Sequence, residues 1–364
     1  MGFFFMKYLI LLTTLINLLY ASSFQDIRTM ALSKGLKSIP ANYQNLKQMV
    51  DDKDNPMSFE KIKLGKKLFF DKNLSKSRKI ACAKCHDINK GGEDGIPTAI
   101  GHNSLENPSH LNSPTVLNTA FSKHLFWDGR SKTLRDQAKG PMQAHFEMAS
   151  TPELVVTRVK ENQEYKELFN RAYKGNNLIT FENITKAIAV YEKTLVTRSR
   201  FDEFLEGDTN ALNEQEQNGL ELFIDLGCKG CHFGPSVGGQ KIQKFPLRDY
   251  NALLHLKSTY NEKEKKRHVE SFSLNFKDYH PFPFKNIGGF MGKDGSKYFR
   301  VPILRNITQT GPYFHNGVIK DLREAIFIMG KYQVGVDLTK KQVDDIEHFL
   351  KALEGDLVEY ELGD

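Results

Sequence analysis

Two short stretches decide the fold of this chain: Cys82-Ala83-Lys84-Cys85-His86 and Cys228-Lys229-Gly230-Cys231-His232. Both have the Cys-x-x-Cys-His spacing of a c-type haem attachment site, in which the thiols add to the haem vinyl groups and the histidine ligates the iron. Together they use every cysteine of the chain, and the alternatives are a zinc site, two disulfides or a redox Cys-x-x-Cys. The histidine that follows in both copies favours haem, so we predict two covalently bound c-type haems.

Length and composition are those of a globular protein with room for two domains. The chain has 364 residues, of which 40% are hydrophobic and 26% charged. The formal charge of +7 is spread along the chain without an arginine-rich arm. Nucleic-acid binding is therefore not expected, whereas an acidic redox partner is compatible with this charge.

The N-terminus predicts export to the periplasm. Lys7 precedes an apolar run from Tyr8 to Tyr20, and small residues follow from Ala21. This order is typical of a signal peptide, residues 1–21, although an uncleaved membrane anchor is the alternative because Phe3 to Phe5 lengthen the run. Export agrees with the haem motifs, since bacteria attach c-type haem outside the cytoplasm.

Apolar spacing predicts a mainly α fold with long loops around the cofactors. Helical periodicity covers Gln25 to Lys47, Phe59 to Phe70 and Lys132 to Lys193, and no run of alternating strands is found. Pro56 and Ser58 lie where the second helical segment is expected to start. Phe201 to Asn210 is predicted to connect two halves.

The two halves repeat three blocks in the same order. The matching pairs are residues 65–69 with 219–223, 114–118 with 302–306, and 127–136 with 315–324. The blocks lie at similar places relative to each haem motif, which indicates a duplicated haem domain. We place the two domains at residues 22–205 and 206–364.

The repeat predicts that the two haems have different second axial ligands. In the later half the candidate is Met329, at the end of a predicted helix that starts at Leu322, with Met291 and His315 as alternatives. The equivalent residue of the earlier half is Pro141, which cannot bind iron. A thioether opposite histidine gives a high-potential electron-transfer haem, whereas an open or displaceable position allows ligand chemistry.

On the earlier haem the candidate second ligand is His102, because it lies on a loop after Gly101 and such a loop can move. His110, His124 and His145 are the alternatives. Beyond them, Glu147 is a candidate to move a proton between the oxygens of peroxide and Gln137 to orient it, although a surface position is the commoner one for glutamate. Trp127 is either a core residue or an electron relay between the haems.

At this point the residues resemble the bacterial dihaem cytochrome c peroxidases, from about Leu64 to Gly335. Besides both haem motifs, the resemblance rests on Ile100-Gly101-His102, Asn112-Ser113-Pro114-Thr115, Phe126-Trp127-Asp128-Gly129-Arg130, Gln137-Ala138-Lys139-Gly140-Pro141, Pro312-Tyr313-Phe314-His315 and Met329-Gly330. It implies two cytochrome-c-like haem domains that reduce hydrogen peroxide to water. It also implies a small soluble electron donor, either a monohaem cytochrome c or a cupredoxin, and a homodimer.

The resemblance also implies roles for single residues. His86 corresponds to the proximal ligand of the peroxidatic haem and His102 to its displaceable distal ligand. Glu147 and Gln137 match the peroxide pocket, and Trp127 matches the residue between the haems. In the later half, His232 and Met329 match the ligands of the electron-entry haem. The family's calcium site corresponds to Asn112 and the backbone carbonyls of Thr310 and Pro312, oxygen donors that suit a hard cation.

One region departs from the family pattern, and two other functions stay open. Between Gly239 and Arg300 the chain carries the charged run Lys263 to His268 and the aromatic-rich run Tyr279 to Phe284, which predict a solvated loop or a donor-docking site. The first alternative function is a dihaem electron-transfer cytochrome without peroxidase activity. The second is an enzyme that oxidises side chains of a partner protein, for which a tyrosine is expected in place of Met329.

Overall fold

Helices make up most of the regular structure in residues 27–248 and 282–359, which are the residues that the computed structural model describes. The helices are α1 (27–33), α2 (Tyr43–Val50), α3 (Phe59–Phe69), α4 (Cys82–Cys85), α5 (Leu134–Gln143), α6 (Pro152–Glu161), α7 (Gln163–Ala172), α8 (Phe181–Glu192), α9 (Arg200–Glu206), α10 (Glu214–Asp225), α11 (Leu322–Ile328) and α12 (Lys340–Lys351). A π-helical segment, Met329–Val334, follows α11 directly. The prediction of a mainly helical chain is confirmed.

The strands are short and form two antiparallel pairs. β1 (Thr197–Ser199) pairs with β4 (Gly355–Leu357), and β2 (Ile242–Lys244) pairs with β3 (Tyr298–Arg300). The first of these pairs joins the middle of the chain to its end. Within the described ranges no helix has the length and hydropathy that a bilayer crossing requires.

Side-chain caps set where the helices start. Ser58 Oγ accepts a hydrogen bond of 3.3 Å from the Lys61 amide, so α3 begins where the sequence predicted. The helical pattern predicted for Gln25 to Lys47 is divided into α1 and α2, because the Asn42 side chain caps a new helix through the Asn45 amide at 2.8 Å. The long pattern from Lys132 to Lys193 is likewise divided into α5 to α8.

The first hydrophobic core packs α3 against α8, and the second packs α10 against α12. A glycine makes each close helix contact possible. A Cβ atom on Gly65 would lie 2.0 Å from the carbonyl oxygen of Ala187, and one on Gly219 would lie 1.9 Å from that of Asp345. Both glycines belong to the repeated blocks, so a close helix contact at a glycine occurs in both halves.

The other repeated blocks also share their backbone geometry. Asn118 and Asn306 are left-handed, with φ of 62° and 58°, and so are Phe126 and Phe314, with φ of 64° and 66°. Each phenylalanine lies in a turn closed by an antiparallel bridge, Leu125 to Ser131 in one half and Tyr313 to Ile319 in the other. Positive φ is uncommon outside glycine, so its recurrence at matched positions is a specific similarity.

Two segments that precede residue 206 pack into the second core. The predicted connection from Phe201 to Asn210 is partly helical instead, because α9 buries Phe201, Phe204 and Leu205 in the second core. Ala31 and Leu36 pack into that same second core, although they precede every element of the first. The domain boundary between residues 205 and 206 lies at the end of α9 and stays a prediction.

Some predicted features lie outside the described residues. They are the signal peptide, residues 1–21, and the charged run Lys263 to His268. The described end of the aromatic-rich run is buried, since Phe282 and Phe284 are 3% and 2% exposed and pack against Phe245. These two side chains therefore belong to a core and do not offer a docking surface.

Candidate functional site

The first haem motif presents its histidine next to a helical turn. The His86 amide donates to the Cys82 carbonyl at 3.0 Å, and His86 Nδ1 lies 3.4 Å from the carbonyl oxygen of Gly92. A histidine that ligates a metal through one ring nitrogen usually donates from the other, so this arrangement leaves Nε2 for iron. Burial raises the pKa of both Cys82 and Cys85 to about 12, which is unlike the low-pKa thiol of a redox Cys-x-x-Cys.

The second motif repeats this geometry. The His232 amide donates to the Cys228 carbonyl at 3.0 Å, and His232 Nδ1 lies 3.4 Å from the carbonyl oxygen of Val237. The cysteines of the chain are not paired in disulfides. The described residues also contain no group of three or more His, Cys, Asp or Glu side chains arranged to hold a metal ion. Both motifs therefore fit a covalently attached haem.

Met329 is the candidate second ligand that fits the later motif best. Met329, His232 and Cys228 line one cavity of about 460 Å³. His315 also lines it, but its Nε2 lies 2.8 Å from Asn286 Oδ1 and its ring stacks on Phe299. Met291 Sδ lies 3.5 Å from Asn286 Nδ2. Both alternatives are thus held by the same asparagine.

His102 and Glu147 are brought together, although they are far apart in the sequence. The His102 amide donates a hydrogen bond of 2.8 Å to the carbonyl oxygen of Glu147. A Cβ atom on Gly101 would lie 2.1 Å from the Phe146 carbonyl oxygen, so only glycine permits this close approach. His102 Nδ1 is buried without a hydrogen-bond partner among the described residues. Nδ1 of His102 therefore has no protein partner in the described structure.

The alternative histidines of the earlier half have other partners. His110 Nδ1 lies 3.7 Å from Glu106 Oε2, and His124 Nδ1 lies 2.6 Å from Lys132 Nζ. His145 is exposed and packs edge-on against Phe146. Among these candidates, His102 combines a free ring nitrogen with a backbone hydrogen bond to Glu147.

The Glu147 carboxyl group lies in a partly buried environment beside the first haem motif. Burial raises its pKa to about 6, while the positive charge of Arg130 opposes this shift. Burial and the charge of Asp94 raise the pKa of Cys85, and the charge of Glu147 contributes a smaller increase. The Glu147 carboxyl group therefore lies near the Cys85 thiol. Gln137 lies on α5, which leads into the turn that carries Glu147, but no hydrogen bond joins their side chains in the described structure.

Trp127 and Asn112 link the two halves of the chain. Trp127 Nε1 donates to the Asn112 carbonyl at 2.8 Å, and Asn112 Nδ2 donates to the Pro312 carbonyl at 2.6 Å. The Asn112 amide donates to the His315 carbonyl at 2.8 Å. Thr310 lies on the same buried segment as Pro312. The residues predicted for a calcium site therefore lie together where the two halves meet.

Sequence reasoning assigned no role to Phe126, Arg130 or Glu93. The Arg130 guanidinium lies 3.5 Å from the centroid of the Phe126 ring, and a Cβ atom on Gly140 would lie 3.0 Å from that ring. Glu93 is 1% exposed, and burial raises its pKa to about 8. The only sequence signal for Glu93 was its place in a glycine-rich loop after the first haem motif.

Comparison with known proteins agrees with this arrangement. A family described as di-haem cytochrome c peroxidase matches residues 59–210. The chain is 40% identical over 313 residues to the cytochrome c551 peroxidase of Nitrosomonas europaea, covering 84% of each chain. It is 38% identical over 313 residues to the cytochrome c551 peroxidase of Pseudomonas aeruginosa, covering 85% of this chain and 82% of that one.

A solved structure supports the fold. The crystal structure of a MauG-like protein associated with microbial copper homeostasis matches 85% of this chain and 94% of its own, with a TM-score of 0.67 and 24% identity. At that identity the likeness concerns the fold alone. The level and length of the identity to the two peroxidases carry the assignment: the chain belongs to the di-haem cytochrome c peroxidase family.

Proposed function

We propose that this protein is a periplasmic cytochrome-c peroxidase that reduces hydrogen peroxide to water. Its electrons come from a small soluble donor, a monohaem cytochrome c or a cupredoxin. The observation that carries the proposal is the contact between His102 and Glu147, because it joins a candidate displaceable ligand to a candidate acid–base group beside Cys85. A simple electron carrier has no need of such a pair.

The haems are assigned to two cytochrome-c-like domains, residues 22–205 and 206–364, that arose by internal duplication and carry long loops around the cofactors. The matched glycine contacts and left-handed residues of the two halves support this origin. His86 and His102 are the ligands of the earlier haem, and His232 and Met329 are those of the later one. Haem iron, when bound, supplies the binding position for peroxide and the electrons that reduce it.

Glu147 is assigned the proton transfer. Its carboxylate accepts a proton from one peroxide oxygen and returns it to the other, so that the O–O bond breaks with water as the product. Two electrons and two protons complete the conversion of one peroxide to two waters. Gln137 is assigned to hold the peroxide through its side-chain amide, and its position on α5 near the Glu147 turn supports this role.

The segment around His102 is assigned as the gate of the peroxide pocket. Asn103 and Ser104 both have positive φ, 54° and 59°, and such conformations are held only where the surrounding structure imposes them. Their relaxation would favour departure of the segment once its contact with Glu147 is lost. We infer that electron entry at the later haem triggers this departure.

Trp127 and calcium are assigned to communication between the halves. Trp127 is buried at 8% exposure, and its ring centroid lies 6.4 Å from that of His315, which supports a relay role. Asn112 Oδ1 is buried without a hydrogen-bond partner among the described residues, as expected of a donor to a cation. Calcium held by Asn112 and the carbonyls of Thr310 and Pro312 would fix the two cores relative to each other.

The proposal is tested on the purified dihaem protein with calcium present. The half-reduced protein is expected to show a high-spin haem signal that hydrogen peroxide removes, followed by steady oxidation of a reduced monohaem cytochrome c. If both haems stay low-spin in every redox state and peroxide is not consumed, the protein is an electron-transfer cytochrome. Sedimentation velocity on the same sample checks the expected homodimer.

A further inference from the structure

The carboxyl group of Glu93 is buried without a compensating positive charge. Its Oε2 has no hydrogen-bond partner among the described residues, and none of their lysines or arginines forms an ion pair with it. The neighbouring charge of Asp94 adds to the effect of burial in disfavouring a negative charge on Glu93. Burial without a positive partner raises the pKa of this carboxyl group to about 8, and a bound cation would favour its ionised form.

The loop that carries Glu93 lies between the two segments of the predicted calcium site. On one side, Thr115 Oγ1 donates to the Gly91 carbonyl at 2.6 Å. On the other side, a Cβ atom on Gly91 would lie 2.8 Å from the Gln309 carbonyl oxygen and 3.0 Å from Thr310 Cγ2. Glu93 lines the same cavity as Asn112 and Pro312. Its side chain therefore lies where the two halves of the chain meet.

A second unpartnered oxygen belongs to Asn112. Its Nδ2 donates to the Pro312 carbonyl at 2.6 Å, which leaves Oδ1 buried without a partner in the described structure. A half-turn about χ2 exchanges the two amide atoms, so that Oδ1 and the Pro312 carbonyl oxygen can face the same cation. Glu93 and Asn112 thus each have a buried side-chain oxygen without a partner in the described structure, and both residues line the cavity that also contains His232 and Met329.

We propose that Glu93 is a ligand of the interdomain calcium ion, binding it together with Asn112 and the carbonyls of Thr310 and Pro312. This inference rests on the calcium site of the proposed function and adds to it the negative charge that those neutral donors lack. Carboxylate, amide and carbonyl oxygens are the donors that calcium prefers, and the number of charged ligands tunes its affinity.

The test is calorimetric titration of the oxidised dihaem protein with calcium chloride, after EGTA treatment and desalting. Glu93→Gln keeps the size of the side chain and removes the charge, and it is expected to weaken calcium binding by at least about tenfold. Glu93→Asp keeps the charge on a shorter side chain and is expected to lie between the wild type and Glu93→Gln. Absorption spectra check that each variant carries both haems.

The matched control is Glu192→Gln. Glu192 is also buried, at 6% exposure, and its Oε2 also has no described partner, but it lies on α8 away from this cavity. Its replacement is expected to leave the calcium affinity unchanged. Equal affinity in wild type and Glu93→Gln, with weaker binding in Asn112→Ala, would overturn the role of Glu93 and keep the calcium site. No calcium binding by the wild type would overturn both, whereas peroxide turnover is measured separately and decides the proposed activity.

Discussion

The backbone amide of His102 is hydrogen-bonded to the backbone carbonyl of Glu147 at 2.8 Å, and the tight contact of Gly101 with Phe146 keeps the two segments together. The candidate distal ligand and the candidate acid–base group are therefore held by one local contact. Under the proposed function, movement of the His102 segment would change the surroundings of Glu147 directly, so that release of the ligand and proton transfer would be coupled.

Replacing Glu147 with glutamine removes the proton-transferring group. We expect Glu147→Gln to lower peroxide turnover by about 10²–10⁴-fold, the usual contribution of general acid–base catalysis. The haem absorption spectra in both redox states are expected to stay unchanged, because the amide has nearly the same size. Gln143→Glu on the exposed end of α5 is the surface control. Turnover near the wild-type value would remove the role of Glu147.

Replacing His102 with glycine removes the candidate gate ligand. His102→Gly is expected to consume peroxide in the fully oxidised state, without prior reduction by the donor, because no side chain has to leave the iron. His110→Gly is the control, because His110 lies near Glu106, and it is expected to behave like the wild type. Stopped-flow mixing of each oxidised protein with peroxide distinguishes them, and a variant that still needs pre-reduction contradicts the gate.

Met329 is expected to set the potential of the later haem. Replacing its thioether with imidazole in Met329→His is expected to lower that haem's reduction potential, because methionine opposite histidine raises it. Donor oxidation then slows, while the earlier haem keeps its spectrum. Met291→Leu is the matched control. Redox titration of both variants measures the effect, and an unshifted potential in Met329→His would show that another residue ligates the iron.

Glu192 is expected to make stability depend on pH. Burial raises its pKa from near 4.5 to about 8, so the folded state holds a proton that the unfolded state has lost between these values. The free energy of unfolding therefore falls as pH rises through this window, by at most about 1.4 kcal/mol per pH unit. Glu192→Gln is expected to remove this part of the slope. Urea midpoints from pH 5 to 8 measure it, and equal slopes in both proteins contradict it.

The contact between α3 and α8 is expected to tolerate no side chain at Gly65. Gly65→Ala places a Cβ atom about 2.0 Å from the Ala187 carbonyl oxygen and should cost about 1–3 kcal/mol of unfolding free energy. Gly230→Ala is the control, because a Cβ atom there meets nothing within 4 Å. Urea denaturation compares the two, and equal midpoints would show that the helices separate without cost.

Local pattern predicted much of this structure, but contacts between distant segments were beyond it. The haem motifs, the cap at Ser58 and the helix from Leu322 depend on neighbouring residues, and they were found from spacing. The packing of Ala31 and Leu36 on the second core was not, because an amphipathic segment does not specify its partner. The role of Glu147 was suggested by the family resemblance, since spacing left it indistinguishable from a surface residue, and its hydrogen bond to the His102 amide was not predicted.

The carbonyl of Gly92 faces His86 Nδ1, while the adjacent Gly91 packs against Gln309 and Glu93 follows directly. One short loop thus touches both His86, the candidate proximal ligand, and the segment of Thr310, which belongs to the proposed calcium site. If calcium and haem occupy these proposed sites, thermodynamic linkage predicts effects in both directions: calcium occupancy would shift the basicity of that imidazole, and oxidation of the iron would shift how strongly calcium is held. Removal of calcium by a chelator is accordingly expected to change the reduction potential of the first haem.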